Sequence, residues 1–394
     1  NLIRGEFSIQ LSTRDYTIIQ QKKKHYLENS IFLVIVREQK MSFLTIFLMV
    51  LLLSGFGEAA SIYPNTATVD DARQKIADVI DGNVKNINER PFIAGLVRLA
   101  FHDCVGDGGC DGCIDHQNPS NKGLLKYTKK LDAAFDYLTS GTMSRADFYV
   151  LAGYVALEKA TEGKGGSEVF NEVPKFGRED CPTSPHEADG ANEVFPDAKW
   201  NLPEIEDFFA SEFASEKSGF TRTDVAAILG AHSLGRASVS NSGYEGKWIQ
   251  NTHRQLGRAH SDVLDNSYYS QILRDADNEN LSNHWRQINV VSGTNKQWQR
   301  RNNINQAATF DAENFPVNNK ENQRNMFLNV DMCLRWDLNV VDSTTGEALQ
   351  AGDSAALGDI QGFAARQGGN EAFITAFGSA FEKMVENKED ETLI

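Results

Sequence analysis

The sequence predicts an all-α protein, on three observations. From about Thr68 onward apolar residues recur at helical spacing, as in Ile76, Val79 and Ile80, then Phe92, Ile93, Leu96, Val97 and Ala100, then Leu131, Phe135 and Leu138. Strand-like alternation is nearly absent. Helix starts are punctuated by Pro91 at a first-turn position, by Ser144 with Asp147 three residues on, and by Thr221 with Asp224 three on. The last two resemble capping boxes.

The elements follow in order. Apolar spacing predicts helices over 70–82, 91–103 and 123–140, and the cap at Ser144 opens a fourth over 144–160. Glycine- and proline-rich loops occupy 161–200. Helices over 203–217 and 221–238 come next, the second starting at Thr221, and two more are expected over 265–275 and 370–387. A polar stretch around 276–325, rich in asparagine and glutamine, is longer than most loops inside a compact domain and reads as an insertion. No internal repeat or heptad run interrupts the pattern, so one domain of two helical lobes is the simplest count.

No methionine precedes Met41. Residues 1–40 therefore read as a non-native leader, and 41–60 as a secretory signal, since an apolar run from Phe43 to Leu53 ends in the small residues Ala59, Ala60 and Ser61. That run is shorter than the ~20 residues of a spanning helix. The domain proper is then 61–394, with a net charge of −17 from 32 basic and 49 acidic side chains. This balance argues against nucleic-acid or anionic-membrane partners. Three of the five cysteines, Cys104, Cys110 and Cys113, crowd into ten residues, which in a secreted chain suggests at least one disulfide. Asn280, Leu281 and Ser282 form a glycosylation sequon compatible with secretion.

Arg98 and His102 stand four residues apart in the second predicted helix, so their side chains leave the same face. Peroxide cleavage needs such a pair. A neutral imidazole moves a proton from one peroxide oxygen to the other, and a fixed cation stabilises the charge developing on the leaving oxygen. The segment Leu96-Val97-Arg98-Leu99-Ala100-Phe101-His102-Asp103-Cys104 resembles the distal helix of the plant-type haem peroxidase superfamily. That resemblance implies a haem b cofactor enclosed between a distal and a proximal helix. It also implies hydrogen peroxide and a small reducing donor as substrates, with a role in peroxide removal.

By the same resemblance Arg98 and His102 are the distal acid–base pair and Phe101 lies over the haem, as in secreted members. Asn121, in Asn118-Pro119-Ser120-Asn121-Lys122-Gly123-Leu124, matches the asparagine that orients the distal histidine. The run Leu229-Gly230-Ala231-His232-Ser233-Leu234-Gly235-Arg236 resembles the proximal helix, with His232 as axial iron ligand and Arg236 beside the cofactor. Trp248, in Asn241-Ser242-Gly243-Tyr244-Glu245-Gly246-Lys247-Trp248, matches the proximal tryptophan of the ascorbate and cytochrome c peroxidase class. Asp331 matches the carboxylate that accepts from the axial histidine, at a separation from His232 that places the polar insertion between them.

The resemblance runs from about Asp70 to Glu386, and it implies further features. Cys104 and Cys110 stand where secreted members place a disulfide. Asp103 and Asp111 match a distal calcium site, although Cys113 replaces a usual hydroxyl ligand. Ser233 and Asp265, with the carbonyl of Val263, match part of a second calcium site. Without the family, His102, Cys104, Cys110 and Cys113 offer a competing reading as a structural zinc cluster, through the CxxC pair Cys110 and Cys113, although the second half of a standard finger is missing from the spacing. Ascorbate peroxidases carry an arginine where this sequence has Asn241, which leaves the donor open between phenol-like and ascorbate-like. The reading from a different class is a secreted haem- or calcium-binding structural protein without turnover.

Overall fold

Helices dominate the computed structural model, which describes residues 63–83, 92–106, 109–138, 142–171, 174–181, 194–213, 219–249, 262–273, 285–290, 295–300, 326–341, 348–386 and 393. The predicted leader, the signal segment, Pro91 and the sequon at Asn280 lie outside these residues. In chain order the helical segments are α1 (Thr66–Asn83), α2 (Phe92–Asp103), α3 (Leu125–Phe135), α4 (Arg145–Ala160), α5 (Ser167–Phe170), α6 (Leu202–Glu212), α7 (Arg222–Leu229), α8 (Val239–Ser242), α9 (Ser267–Ile272), α10 (Asn329–Met332), α11 (Leu357–Ala364) and α12 (Gly369–Val385). Each of the eight predicted helices has a counterpart, seven with shifted ends and the one over 221–238 broken, while α11 and the one-turn helices α5, α8 and α10 were not foreseen.

The centre is α4, whose residues from Ala146 to Leu157 are buried without a break, so it is apolar all round as an interior helix must be. Ser144 caps it, its hydroxyl accepting from Asp147 N at 3.0 Å. α2 lies along α4 at close range. A Cβ on Gly153 would stand 2.9 Å from both the Ala100 Cβ and the Phe381 ring, so a side chain there would push α2 and α12 away from α4. Arg98 is the one charged side chain in the first three turns of α2, and its neighbours Leu96, Val97, Leu99 and Ala100 are buried.

α7 opens with the reciprocal cap read from the sequence: Thr221 N donates to Asp224 Oδ2 at 2.8 Å and Asp224 N to Thr221 Oγ1 at 3.2 Å. Lys383 on α12 donates to the same carboxylate at 2.7 Å, tying the last helix to the first turn of α7. Thr221→Ala should lower stability by about 1 kcal/mol in chemical denaturation, because Asp224 N loses its side-chain acceptor.

The predicted helix over 221–238 is not continuous. α-Helix ends at Leu229 and a 3₁₀ turn, Gly230–Ser233, carries His232. Tyr269 explains the change, since its hydroxyl donates to Ala226 O at 2.8 Å and takes the carbonyl that the Gly230 N–H would reach in a continuing α-helix. A side chain at 230 would meet that hydroxyl and Phe373 at 2.5 Å, so glycine is what lets α9 and α12 close on the turn.

The polar stretch 276–325 also differs from expectation. It contains β1 (Trp285–Asn289) and β2 (Lys296–Arg300), which pair antiparallel, and β2 continues the sheet to β3 (Met326–Phe327) with Trp298 opposite Phe327. Gln297 and Gln299 are buried. Gln297 accepts from Glu245 N at 3.0 Å and donates to Glu245 O at 2.7 Å, binding the loop before Trp248 as a strand would. Glutamine here substitutes for a backbone ladder, which is why its polarity misread as solvent-facing loop. A second hairpin, β4 (Trp336–Val341) with β5 (Ala348–Asp353), follows α10.

Candidate active site

A cavity of about 920 Å³ opens between α2 and the turn that carries His232. Arg98, Phe101 and His102 line one side, and Leu229, His232 and Trp248 line another.

On the distal side, Asn121 is held at both ends of its amide. Its Nδ2 donates to Asp115 O at 3.0 Å, which turns Oδ1 toward His102 Nδ1 at 2.7 Å. The 3₁₀ turn Pro119–Asn121, capped by Asn118 accepting from Ser120 N, presents that amide. With Nδ1 donating to Asn121, His102 Nε2 keeps its lone pair and accepts from Arg98 Nε at 3.2 Å. Arg98 also donates to Ser120 O at 2.6 Å and Lys122 O at 3.2 Å, so its guanidinium is fixed to the Asn121 turn. Burial, reinforced by the Arg98 charge and opposed by the Asn121 hydrogen bond, holds the His102 imidazole well below the ordinary histidine range. The side chains thus supply a neutral base and a fixed cation in contact. Phe101 packs against Phe209 and Phe213, and Phe195 stacks on His102 with ring centres 4.4 Å apart.

On the proximal side, four donors converge on the fully buried Asp331. His232 Nδ1 lies 2.7 Å from Oδ1, which also accepts from the Tyr268 hydroxyl at 2.6 Å. Oδ2 accepts from Trp248 Nε1 at 2.8 Å and from Leu328 N at 2.7 Å. The Trp248 and His232 rings stack with centres 4.5 Å apart. Burial and the Asp331 carboxylate push the Tyr268 phenol well above its ordinary range, so it stays a donor. The β2–β3 pairing, with Met326 N donating to Lys247 O at 2.9 Å, returns the chain from the insertion to place Asp331 beneath His232. Arg236 lines the cavity and donates to Glu245 at 2.5 Å, while its Nε is buried without a partner among the described residues.

Sequence reasoning missed Tyr268, Leu328 N and Gln297. Tyr268 and Tyr269 stand side by side in a predicted helix, where paired tyrosines signal only packing.

The cysteines form Cys104–Cys110 and Cys113–Cys181, leaving Cys333 buried and reduced, with burial pushing its thiol up. The zinc alternative is not assembled, because its three sulfurs are spent in disulfides and His102 is engaged by Asn121 and Arg98. Neither carboxylate oxygen of buried Asp103 has a hydrogen-bond partner among the described residues, and burial together with neighbouring Asp111 raises its pKa well above the carboxylate range. Asp111 Oδ1 accepts from Cys113 N at 2.9 Å. Asp265, by contrast, is paired with Lys164 at 2.9 Å, and Ser233 Oγ is buried without a partner among the described residues. Among the described residues no helix is long and apolar enough to cross a membrane.

A family model described as peroxidase matches residues 73–345. The chain is 32% identical over 218 residues to L-ascorbate peroxidase 2, cytosolic, of Oryza sativa subsp. japonica, covering 52% of this chain and 72% of that protein. It is 28% identical over 197 residues to the putative cytochrome c peroxidase, mitochondrial, of Yarrowia lipolytica, covering 46% of this chain and 61% of the relative. It is likewise 28% identical over 194 residues to a putative heme-binding peroxidase of Cryptococcus neoformans, covering 45% and 51%. The chain belongs to the plant-type haem peroxidase superfamily and is a haem peroxidase.

Proposed function

We propose that the cavity binds haem b on His232 and that Arg98 and His102 cleave hydrogen peroxide above it, with a phenol-like compound as the reducing donor. The observation that carries this reading is the pairing of His102 with Asn121 and of His232 with Asp331, with both histidines lining one cavity. Several features fit the cofactor. His232 Nδ1 is committed to Asp331, which leaves Nε2 as the ligand atom. The cavity volume falls in the range of cofactor sites. The buried, unpartnered Arg236 Nε is a donor suited to a cofactor carboxylate. Bound haem would supply the iron that receives a peroxide oxygen and stores the oxidising equivalents.

The chain's own residues handle the protons. His102 Nε2 takes one from one peroxide oxygen and returns it to the other, which leaves as water. Arg98 must release its contact with Nε2 to admit peroxide, and its charge then stabilises the leaving oxygen. Asn121 holds the tautomer that keeps Nε2 unprotonated. Asp331 draws on the Nδ1 proton, making His232 a stronger donor to iron.

Because base function requires neutral His102 and its pKa is depressed, the peroxide reaction should keep its rate as pH falls through the ordinary histidine value and decline only below it. Arg98→Leu removes one of the two causes of that depression, so its acid limb should lie at higher pH than that of wild type. Stopped-flow pH profiles of both proteins check this, and coincident limbs would count against it.

Asn241 lines the cavity and packs against Gly123, with its Nδ2 within 2.3 Å of where a Cβ at that glycine would stand. No cation occupies that position, which favours a neutral donor. Guaiacol should therefore exceed ascorbate in kcat/KM in parallel peroxide-dependent assays. Equal or preferred use of ascorbate would reverse the donor assignment, and no turnover with either despite bound haem would favour the structural-protein reading.

We also propose a calcium ion at Asp103 and Asp111: both Asp103 oxygens lack a hydrogen-bond partner among the described residues, the Asp111 charge lies close enough to raise the Asp103 pKa, and Cys113 is withdrawn into a disulfide. EDTA should lower the melting temperature and calcium should restore it. An unchanged melt would remove the ion. The two disulfides suit the oxidising compartment expected from the signal-like segment 41–60, and export followed by loss of that segment is part of the proposal.

A further inference from the structure

The proximal cluster continues outward through a chain of aromatic rings that the cavity chemistry does not use. Tyr268, bonded to Asp331, meets Phe327 with ring centres 5.6 Å apart. Phe327 stands opposite Trp298 across the β2–β3 ladder, which puts both side chains on one face of the sheet. Trp298 is buried and donates through Nε1 to Asn329 at 2.8 Å, two residues from Asp331 on α10. Its ring lies 5.5 Å from that of Trp336, the first residue of β4. Trp336 is half-exposed, under the Arg335 guanidinium at 4.5 Å, with exposed Asp337 beside it and exposed Asp353 opposite it in the hairpin.

We infer that Trp298 and Trp336 relay oxidising equivalents from the proximal side of the cavity to the surface, where Trp336 oxidises bulky neutral phenols that do not enter the cavity. The inference rests on the haem peroxidase reading above. Reduction of one peroxide to two waters consumes two electrons and two protons. Each electron passes inward from Trp336 to Trp298 and across the Phe327 and Tyr268 contacts, and the oxidised Trp336 indole yields its N–H proton to water. A phenol at the surface then returns one electron and one proton, restoring the indole and becoming a phenoxyl radical, so two phenols are spent per peroxide. The Arg335 charge disfavours a positive indole, which promotes proton loss and makes Trp336 a stronger oxidant. The two acidic neighbours repel anionic donors, so a neutral phenol is the class that fits.

The test compares free tyramine, capped as its neutral N-acetyl derivative, with tyramine coupled to dextran through an amide at the same nitrogen, the same neutral phenol differing in bulk, as donors to wild type, Trp336→Phe and Trp298→Phe holoenzymes. Both variants should lose roughly tenfold or more in kcat/KM on the dextran-bound phenol while oxidising free tyramine within about twofold of wild type. Peroxide-treated wild type should also carry a nitroso spin-trap adduct at Trp336, and Trp298→Phe should lack it. Dextran-bound tyramine oxidised equally by all three proteins, or by none, would overturn the relay. So would absence of the wild-type adduct, which decides the matter should a variant fail to keep haem. Failure of wild type to oxidise free tyramine is the separate result that would remove the peroxidase reading itself.

Discussion

His102→Leu is expected to abolish rapid reaction with peroxide while leaving the Soret band of bound haem in place. The leucine fills much of the imidazole volume, so the cavity wall formed with Phe195 and Phe101 is kept. The Nε2 acceptor of Arg98 Nε is removed, but the contacts of Arg98 with Ser120 and Lys122 remain and continue to hold the guanidinium. What is lost is the base, and general acid–base groups are worth about 10²- to 10⁴-fold in rate. Stopped-flow mixing with peroxide should show a loss of that size. A variant reacting as fast as wild type would contradict the distal assignment. Asn121→Ala should give a smaller loss, since it frees the tautomer and ring orientation without removing the base.

Asp331→Asn is expected to cost both stability and proximal tuning. Each carboxylate oxygen receives two donors, His232 Nδ1 and Tyr268 on one side and Trp248 Nε1 and Leu328 N on the other. An amide of the same shape accepts on one side only. Whichever way it turns, its NH₂ faces two donors that are left unsatisfied, at about 1–3 kcal/mol each. Denaturation should therefore report a loss on the order of 2–6 kcal/mol. Without the carboxylate charge the His232 imidazole becomes a weaker donor, so the reduction potential of bound haem should rise. A variant with wild-type stability and an unchanged potential would show that Asp331 does not govern the proximal side.

Helical periodicity made most of the fold legible, because α2, α4 and α12 bury continuous apolar faces and Ser144 and Thr221 mark where α4 and α7 begin. Two places resisted it for different physical reasons. The break at Gly230 depends on Tyr269 taking a backbone carbonyl from a distance of forty-three residues in sequence, and no local pattern encodes that. The strands at 285–300 are built from glutamine, asparagine and tryptophan, whose burial comes from bonds to Glu245 and Asn329 rather than from alternation. At the site, spacing alone put Arg98 and His102 on one helix face. Asn121, Trp248, His232 and Asp331 became visible only through whole motifs, since each is an isolated polar residue whose partner lies far away in the chain. Tyr268 carried no signal at all, because its role is set by where α9 meets α10.

The central claim is that His232 holds haem in this cavity and that the distal pair opposite it cleaves peroxide. Purified protein supplied with haem and mixed with one equivalent of hydrogen peroxide in a stopped-flow spectrophotometer tests it most directly. The account predicts a Soret band that peroxide shifts within the mixing experiment and that a phenol then restores. A protein with no Soret band, or with one that peroxide leaves unchanged, would contradict it.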